Sequence, residues 1–426
     1  MKLLRRPRMT RLTEGASVSP LELFFDLVFV FAITQVVQLM AAAHDDAQAL
    51  GFVRGLLVIC IIWWCWCCYA WLGNTVRADE GAARLSLFAV MGVMFVVALT
   101  IPEAFEDMET GIPGPLVFAA CYLVVRTVHL LLYWFAADGD DGLRARLLKN
   151  CIPMLGGTAI LIVAAFTHGW IQVLLWALAI VFDLSAVLLM GLSGWRINSA
   201  KHWTERHGLI IIIALGESIM SIGVGVAEKP ISWPVIIGAL LGVVVAAAMW
   251  WAYFDTMALA AEHKLAHTRG DHRVVLAAHG YTYLHLPLVA GVVLVALGLK
   301  KVLTYVVDHE HYGVMEPLHG LDLYALFGGV VLYLLGHAAF GWRMLRVVKL
   351  QRLIAAAALV LLTPVAANVP ALAALGIVAL VLVITFAYET IRYAEAREAV
   401  RHGDSFDHHG DGRPEHTASD QDAATP

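Results

Sequence analysis

Charge is what this chain has least of. Of its 426 residues, 15% are Asp, Glu, Lys or Arg and 60% are hydrophobic, against roughly 25% charged and 45–50% apolar in an average soluble domain. An ordinary water-soluble fold is excluded. Other absences narrow the function. No polar link between apolar stretches is long enough to hold a soluble catalytic domain. No Gly-Lys-Ser/Thr segment is present to cradle a nucleotide phosphate, so direct use of ATP is not expected. Neither a nucleophile elbow nor a helix with two His around a Glu is found. No basic motif suits a nucleic acid, and no cofactor is called for. The six cysteines (Cys60, Cys65, Cys67, Cys68, Cys121, Cys151) lie in or at the ends of apolar stretches, where disulfides are not expected.

Present instead are twelve apolar stretches, at roughly 22–43, 50–73, 84–104, 113–136, 149–167, 170–192, 207–227, 232–260, 276–300, 321–341, 353–369 and 371–391. Crossing ~30 Å of hydrocarbon as a helix takes ~20 residues, and a helix pairs all its backbone polar groups within one segment. The expected fold is therefore an all-α polytopic membrane protein with about 12 transmembrane helices and the lipid bilayer as its partner. Lys and Arg fall in alternate links: Lys2 to Arg11, Arg77 and Arg84, Arg144 to Lys149, Arg196 to Arg206, Lys264 to Arg273, Arg343 to Arg352, and the tail from Arg392. The exceptions among the 29 basic residues are Arg54, Lys229, Lys300 and Lys301 on the opposite side and Arg126 within a stretch. The positive-inside rule then places both termini in the cytoplasm. The first apolar stretch starts too late and runs too long for a cleavable signal.

Six stretches precede the link at 193–206 and six follow it. We expect a basic cytoplasmic arm at 1–20, a first six-helix repeat at 21–192, the link at 193–206, a second repeat of the same orientation at 207–395, and a disordered acidic, His-containing tail at 396–426. The second stretch ends WWCWCCYAWLGNT and the eighth MWWAYFDT, setting Asn74–Thr75 opposite Asp255–Thr256. Pro102 answers Pro287, and Tyr122 with His129 answers Tyr333 with His337.

An ionisable group at the bilayer centre costs ~2.5–3.5 kcal/mol on insertion scales, so those that persist are candidates for function. Arg126, Asp183 and Glu217 lie deepest, and we expect Arg126 to sit against Asp183, Glu217 or both. Tyr122, Arg126, His129 and Tyr133 share one face of the fourth helix, and Glu217 and Ser221 are one turn apart. Asp26 needs a cationic partner, with Arg8, Arg11, another loop cation or a transported cation as candidates. Glu22 suits the first turn of a helix, where an acid complements the dipole. On the ninth helix His279 and Tyr283 share one face and Tyr281 and His285 another, and Pro287 predicts a kink that frees a carbonyl near Tyr283. The simpler reading of all these groups is a satisfied polar network that fixes helix packing. Metal ligation is left open: Cys65–Cys67–Cys68, the run Asp308-His309-Glu310-His311 with His319, and the tail from His402 to His416 have suitable donors. Core thiols and solvated loops explain them as simply.

The first stretch reads SPLELFFDLVFVFAITQV from Ser19 to Val36, and a later one ERHGLIIIIALGESIMSIG from Glu205 to Gly223. Both resemble signatures of the low temperature requirement protein A family, and the resemblance covers roughly residues 10–395. It implies a multi-pass bacterial inner-membrane protein and no particular reaction. Together with the buried charges it leads us to expect a secondary transporter or ion-translocating permease for a small molecule or ion. Its pathway would use Asp26, Arg126, His129, Asp183, Glu217, Ser221 and His285, with Glu22, Tyr122, Tyr133, Asp255, His279 and His337 as secondary candidates. Alternatives are an intramembrane lipid-modifying enzyme with His129 or His285 as base, and a non-catalytic membrane factor supporting growth in the cold.

Overall fold

The structure is a computed structural model that describes residues 10–43, 48–107, 111–192, 194–226, 230–308, 312–313 and 315–394, without the side chains of 186–190. Among these residues the chain is helical, with two isolated bridges (Arg11 with Val76, Pro317 with Pro370) and no strand. In chain order the helices are α1 (Pro20–Ala42), α2 (Gln48–Gly73), α3 (Gly81–Thr100), α4 (Gly114–Ala136), α5 (Asp141–Ala164), α6 (Gly169–Met190), α7 (Ala200–Gly225), α8 (Trp233–Phe254), α9 (Met257–His267), α10 (Gly270–Leu276), α11 (His285–Val307), α12 (Gly320–Leu345), α13 (Leu350–Ala366) and α14 (Ala371–Arg392). Among the described residues ten helical stretches are long and apolar enough to cross a membrane, and Gly169–Ser185 and Leu350–Ala366 are shorter apolar helices. The all-α polytopic expectation holds.

Several boundaries differ, because hydropathy marks the hydrocarbon-like core of a helix rather than its ends. α7 begins at Ala200, not at 207. Ser199 caps it by accepting the His202 amide at 3.2 Å, and this carries Arg206 and His207 inside the helix. The eighth stretch breaks at Asp255–Thr256 into α8 and the amphipathic α9, which buries Met257, Ala261 and Leu265 on one face. The ninth runs through a widened turn, Ala277–Tyr283, where the Leu284 amide reaches the His279 carbonyl at 3.2 Å. The expectation for Pro287 is corrected here. It sits in the first turn of α11, where a missing amide does little harm, and the break precedes it. The turned-out carbonyl that finds a new partner is Gly280's, which meets His285 Nδ1 at 3.0 Å.

α11 is buried on nearly all sides, from Leu288 to Val306. A helix apolar all round belongs in a core, and it packs on α7, α12, α1, α8 and α14. Its contact with α12 is closest at Gly298, where an added Cβ would stand 2.6 Å from Leu326 Cα. Only a glycine lets two backbones approach so nearly. The first half is arranged around α1 and α2. α3 and α7 flank α1, and α4 and α6 touch α2. Ile171, Leu174 and Leu178 of α6, and Leu148, Ile152 and Leu155 of α5, face outward, as a bilayer-facing surface requires.

The basic arm is tied down from residue 10. Leu12 donates to the Thr75 carbonyl at 3.1 Å and Arg77 to the Thr10 carbonyl at 2.9 Å. Glu14 accepts the Ala200 amide at 3.0 Å and pairs with Arg273 at 2.7 Å. The arm thus bridges both halves at the end where α1 begins.

Candidate functional site

The deepest cation sits on α4. Arg126 is there because the face of α4 bearing Tyr122, Arg126, His129 and Tyr133 turns inward, and all four are buried. Arg126 Nη2 donates to Asp183 Oδ1 of α6 at 2.8 Å. Tyr122 donates its hydroxyl to the other carboxylate oxygen, and Arg126 Nη1 meets Cys68 Sγ of α2. The guanidinium also lies 5.7 Å from the Trp64 ring centre, within cation–π range. Tyr133 belongs to the same face but bonds elsewhere, to Thr75 at 2.7 Å.

This pair lines a cleft of about 630 Å³, its open mouth included, together with Trp64, Trp71, His129 and Tyr283. Among the described residues several nitrogens in its walls have no hydrogen-bond partner: Arg126 Nε, Trp64 Nε1 and both ring nitrogens of His129. A buried polar atom left in this way costs ~1–3 kcal/mol. The walls of the cleft are therefore richer in unused donors than in acceptors.

Glu217 does not join the pair, which corrects the expectation that the three charges could converge. Its oxygens go to Thr34 of α1 and to Ser221, the latter at 2.9 Å. Position along a helix does not fix the direction a side chain faces. The direction each faces is set by packing, and α7 turns Glu217 toward α1.

Asp26 finds its cation within α7. Arg206 Nη2 donates to Asp26 Oδ1 at 2.9 Å, and Trp66 Nε1 donates to the same oxygen at 2.9 Å. Arg11 lies at the end of α2, and Arg8 lies outside the described residues. Glu22 does complete a capping box with Ser19, and it also contacts His202 Nε2 at 2.9 Å. Asn74 of α2 ties this cluster to the link, accepting the Asn198 amide at 2.7 Å and donating to the Ser199 carbonyl at 2.7 Å.

His285 is buried at the start of α11. Both nitrogens are engaged, Nδ1 with the Gly280 carbonyl and Nε2 with the Tyr253 hydroxyl at 2.8 Å. His279 lies apart, 3.4 Å from Arg343 Nε. His337 contacts Arg352, whose Nε and Nη2 donate to the two Glu389 oxygens at 2.8 Å each. Arg352 Nη1 also reaches the Ala252 carbonyl at 3.1 Å. Asp255 is at the α8–α9 break, and its charge reaches Lys349 in the link before α13. Burial, and next the charge of Arg352, pull the Lys349 ammonium below its ordinary pKa.

Sequence reasoning missed Arg206, His202, Trp66, Arg352 and Glu389, because the charged ones stand at helix ends and count as link residues. The Ser199 cap ahead of Trp203, His207, Ile210 and Ile211 was the available signal for α7. Among the described residues no group of three or more His, Cys, Asp or Glu is arranged to hold a metal ion. Cys65, Cys67 and Cys68 are free thiols. His309, Glu310, His311 and the run from His402 to His416 lie outside the described residues.

A helical polytopic membrane protein with ion pairs locked between its helices is the class these features define. The chain belongs to the bacterial low temperature requirement A (LtrA) family, whose profile matches residues 17–387. An uncharacterised protein of Rhizobium meliloti (strain 1021) is 28% identical over 340 residues, covering 76% of this chain and 77% of that protein. No solved structure matches. The Ser19–Val36 and Gly216–Glu217–Ser218 motifs both lie inside the matched region.

Proposed function

We propose that this LtrA protein is a secondary transporter whose solute site is the cleft at Arg126 and Asp183. The observation that carries the reading is the set of unused donors beside a mid-span ion pair. A solute with acceptor oxygens would satisfy Arg126 Nε, Trp64 Nε1 and His129, and its apolar part would rest on the indole walls. Asp183 keeps Arg126 charged and oriented, so the pair contributes direction without net charge. Asp26 and Arg206 form a separate clasp between α1 and α7, suited to gating. The site lies in an inner-membrane protein with both termini cytoplasmic, built from two six-helix units at 21–192 and 207–395. In support, each unit has an ion pair among its last three spans, with a His on the first of the three.

The lipid-enzyme alternative has less support at His285, since both of its nitrogens are engaged. A thermal-shift screen of purified protein against small carboxylates, phosphates and sulfonates, followed by uptake into proteoliposomes, tests the transporter reading. We expect a stabilising solute whose uptake is lost in Asp183→Asn and in Arg126→Lys while both variants still fold. Undiminished uptake in Arg126→Leu/Asp183→Leu would overturn it.

A further inference from the structure

A second buried acid, outside the cleft's ion pair, has no cation in contact with it among the described residues. Glu217 of α7 is 2% exposed, and its hydrogen-bond partners among the described residues are the hydroxyls of Thr34 and Ser221. The charged groups on the helices packed against α7 are few. α8 has none between Trp233 and Phe254. α1 offers Glu22 and Asp26, both at its far end and held by His202 and Arg206. α9 packs at that same far end. α11 offers Lys300, which acts on Glu217 through space without ion-pair contact, and Lys301, which is held by the Ala41 carbonyl at 3.1 Å and Asp322 at 3.7 Å. An isolated carboxylate in such surroundings is strongly disfavoured and is neutralised instead.

The hydrogens can be counted. A hydroxyl has one hydrogen to donate. Thr34 Oγ1 stands between two acceptors, the Val30 carbonyl at 3.1 Å and Glu217 Oε2, and donates its one hydrogen to only one of them at a time. Ser221 donates its own to Glu217 Oε1 at 2.9 Å. With the Thr34 hydrogen on Glu217 the carboxylate accepts two hydroxyl bonds, and with a proton on Oε2 the carboxyl donates to Thr34 Oγ1 and leaves Thr34 to bond Val30, so the contacts accommodate a proton without rearrangement.

We propose that Glu217 is a proton-binding site, loaded in this conformation and clasped between α1 and α7 by Thr34 and Ser221. The inference deepens the transporter reading, on which it rests for its role, by naming the coupling ion as a proton. The proton itself is measurable without any solute. Infrared spectroscopy of the purified full chain in nanodiscs should show a protonated-carboxyl stretch at neutral pH that shifts in D2O and fades as the pH is raised. We expect its loss in Glu217→Gln, a shift without loss in Thr34→Val, and no change in Arg126→Leu/Asp183→Leu. Absence of the band, its persistence in Glu217→Gln, its survival at alkaline pH, or its removal by Na+ at constant pH would each overturn the proposal. Should Glu217→Gln fail to fold, an unshifted band in Thr34→Val overturns it alone. If no solute is taken up while the band behaves as expected, the transporter reading falls and the proton site stands. If uptake in Glu217→Gln still follows a pH gradient, the coupling role falls.

Discussion

Two buried ion pairs, one in each half of the chain, have the same composition and opposite finish. Arg352 and Glu389 share two parallel hydrogen bonds of 2.8 Å, and His337, Lys349 and the Ala252 carbonyl take the remaining polar atoms. Arg126 and Asp183 share a single contact of 2.8 Å, beside a cleft and among nitrogens with nothing to bond. The first pair stands in the opening turn of α13 and the closing turn of α14, whereas the second is deep within α4 and α6. Burial of charge is common to both and so cannot mark function. Completeness of bonding separates them: the Arg352 network is finished as structure, and the Arg126 network is left open.

That contrast can be broken by mutation. The largest effect is expected for Glu389→Leu, which strands Arg352 in a dry site. Removing one member of a buried pair costs about 3–5 kcal/mol, and thermal unfolding in detergent should show it, with much of the loss recovered in Arg352→Met/Glu389→Leu. Asp183→Leu should cost less, about 1–3 kcal/mol, since Arg126 retains Cys68, Trp64 and the cleft; an equal loss at both sites would erase the distinction. Packing offers a parallel test. Gly298→Ala forces α11 against Leu326 and should cost about 1–3 kcal/mol. In Gly157→Ala of α5 the nearest atom stands 3.3 Å away, so that change should be markedly milder. The smallest effect is expected for His129→Phe. Replacing one buried ring by another of similar size should cost less than about 1.5 kcal/mol yet abolish solute stabilisation in the thermal-shift screen. A large loss of stability would instead make His129 part of the scaffold.

Most of the architecture was legible because the bilayer reduces the folding problem to length and hydropathy, and twelve apolar stretches are hard to read otherwise. Position along each helix offered Asp183, Glu217 or both as partners for Arg126, and Asp183 takes that place. Azimuth was not legible. Glu217 lies at a similar depth, but which neighbour it meets follows from how α7 packs on α1, and no spacing along the chain encodes that. Polar helix ends were the other blind spot. Arg206 and Arg352 resemble link cations in composition, yet caps and short turns draw them under neighbouring helices. Pro287 misled for a related reason: a proline marks where an amide is absent, while the backbone opened about two turns earlier, around Gly280.

The arm that crosses from α2 to α7 and α10 also orders the assembly in time. Glu14 leaves the ribosome among the first residues, but the Ala200 amide it holds is synthesised 186 positions later, and Arg273 later still. No early folding intermediate can fasten this latch. Its Glu14 contacts close only once residue 273 has been made, so a nascent chain stalled before residue 200 holds the arm by its Thr75 and Arg77 contacts alone.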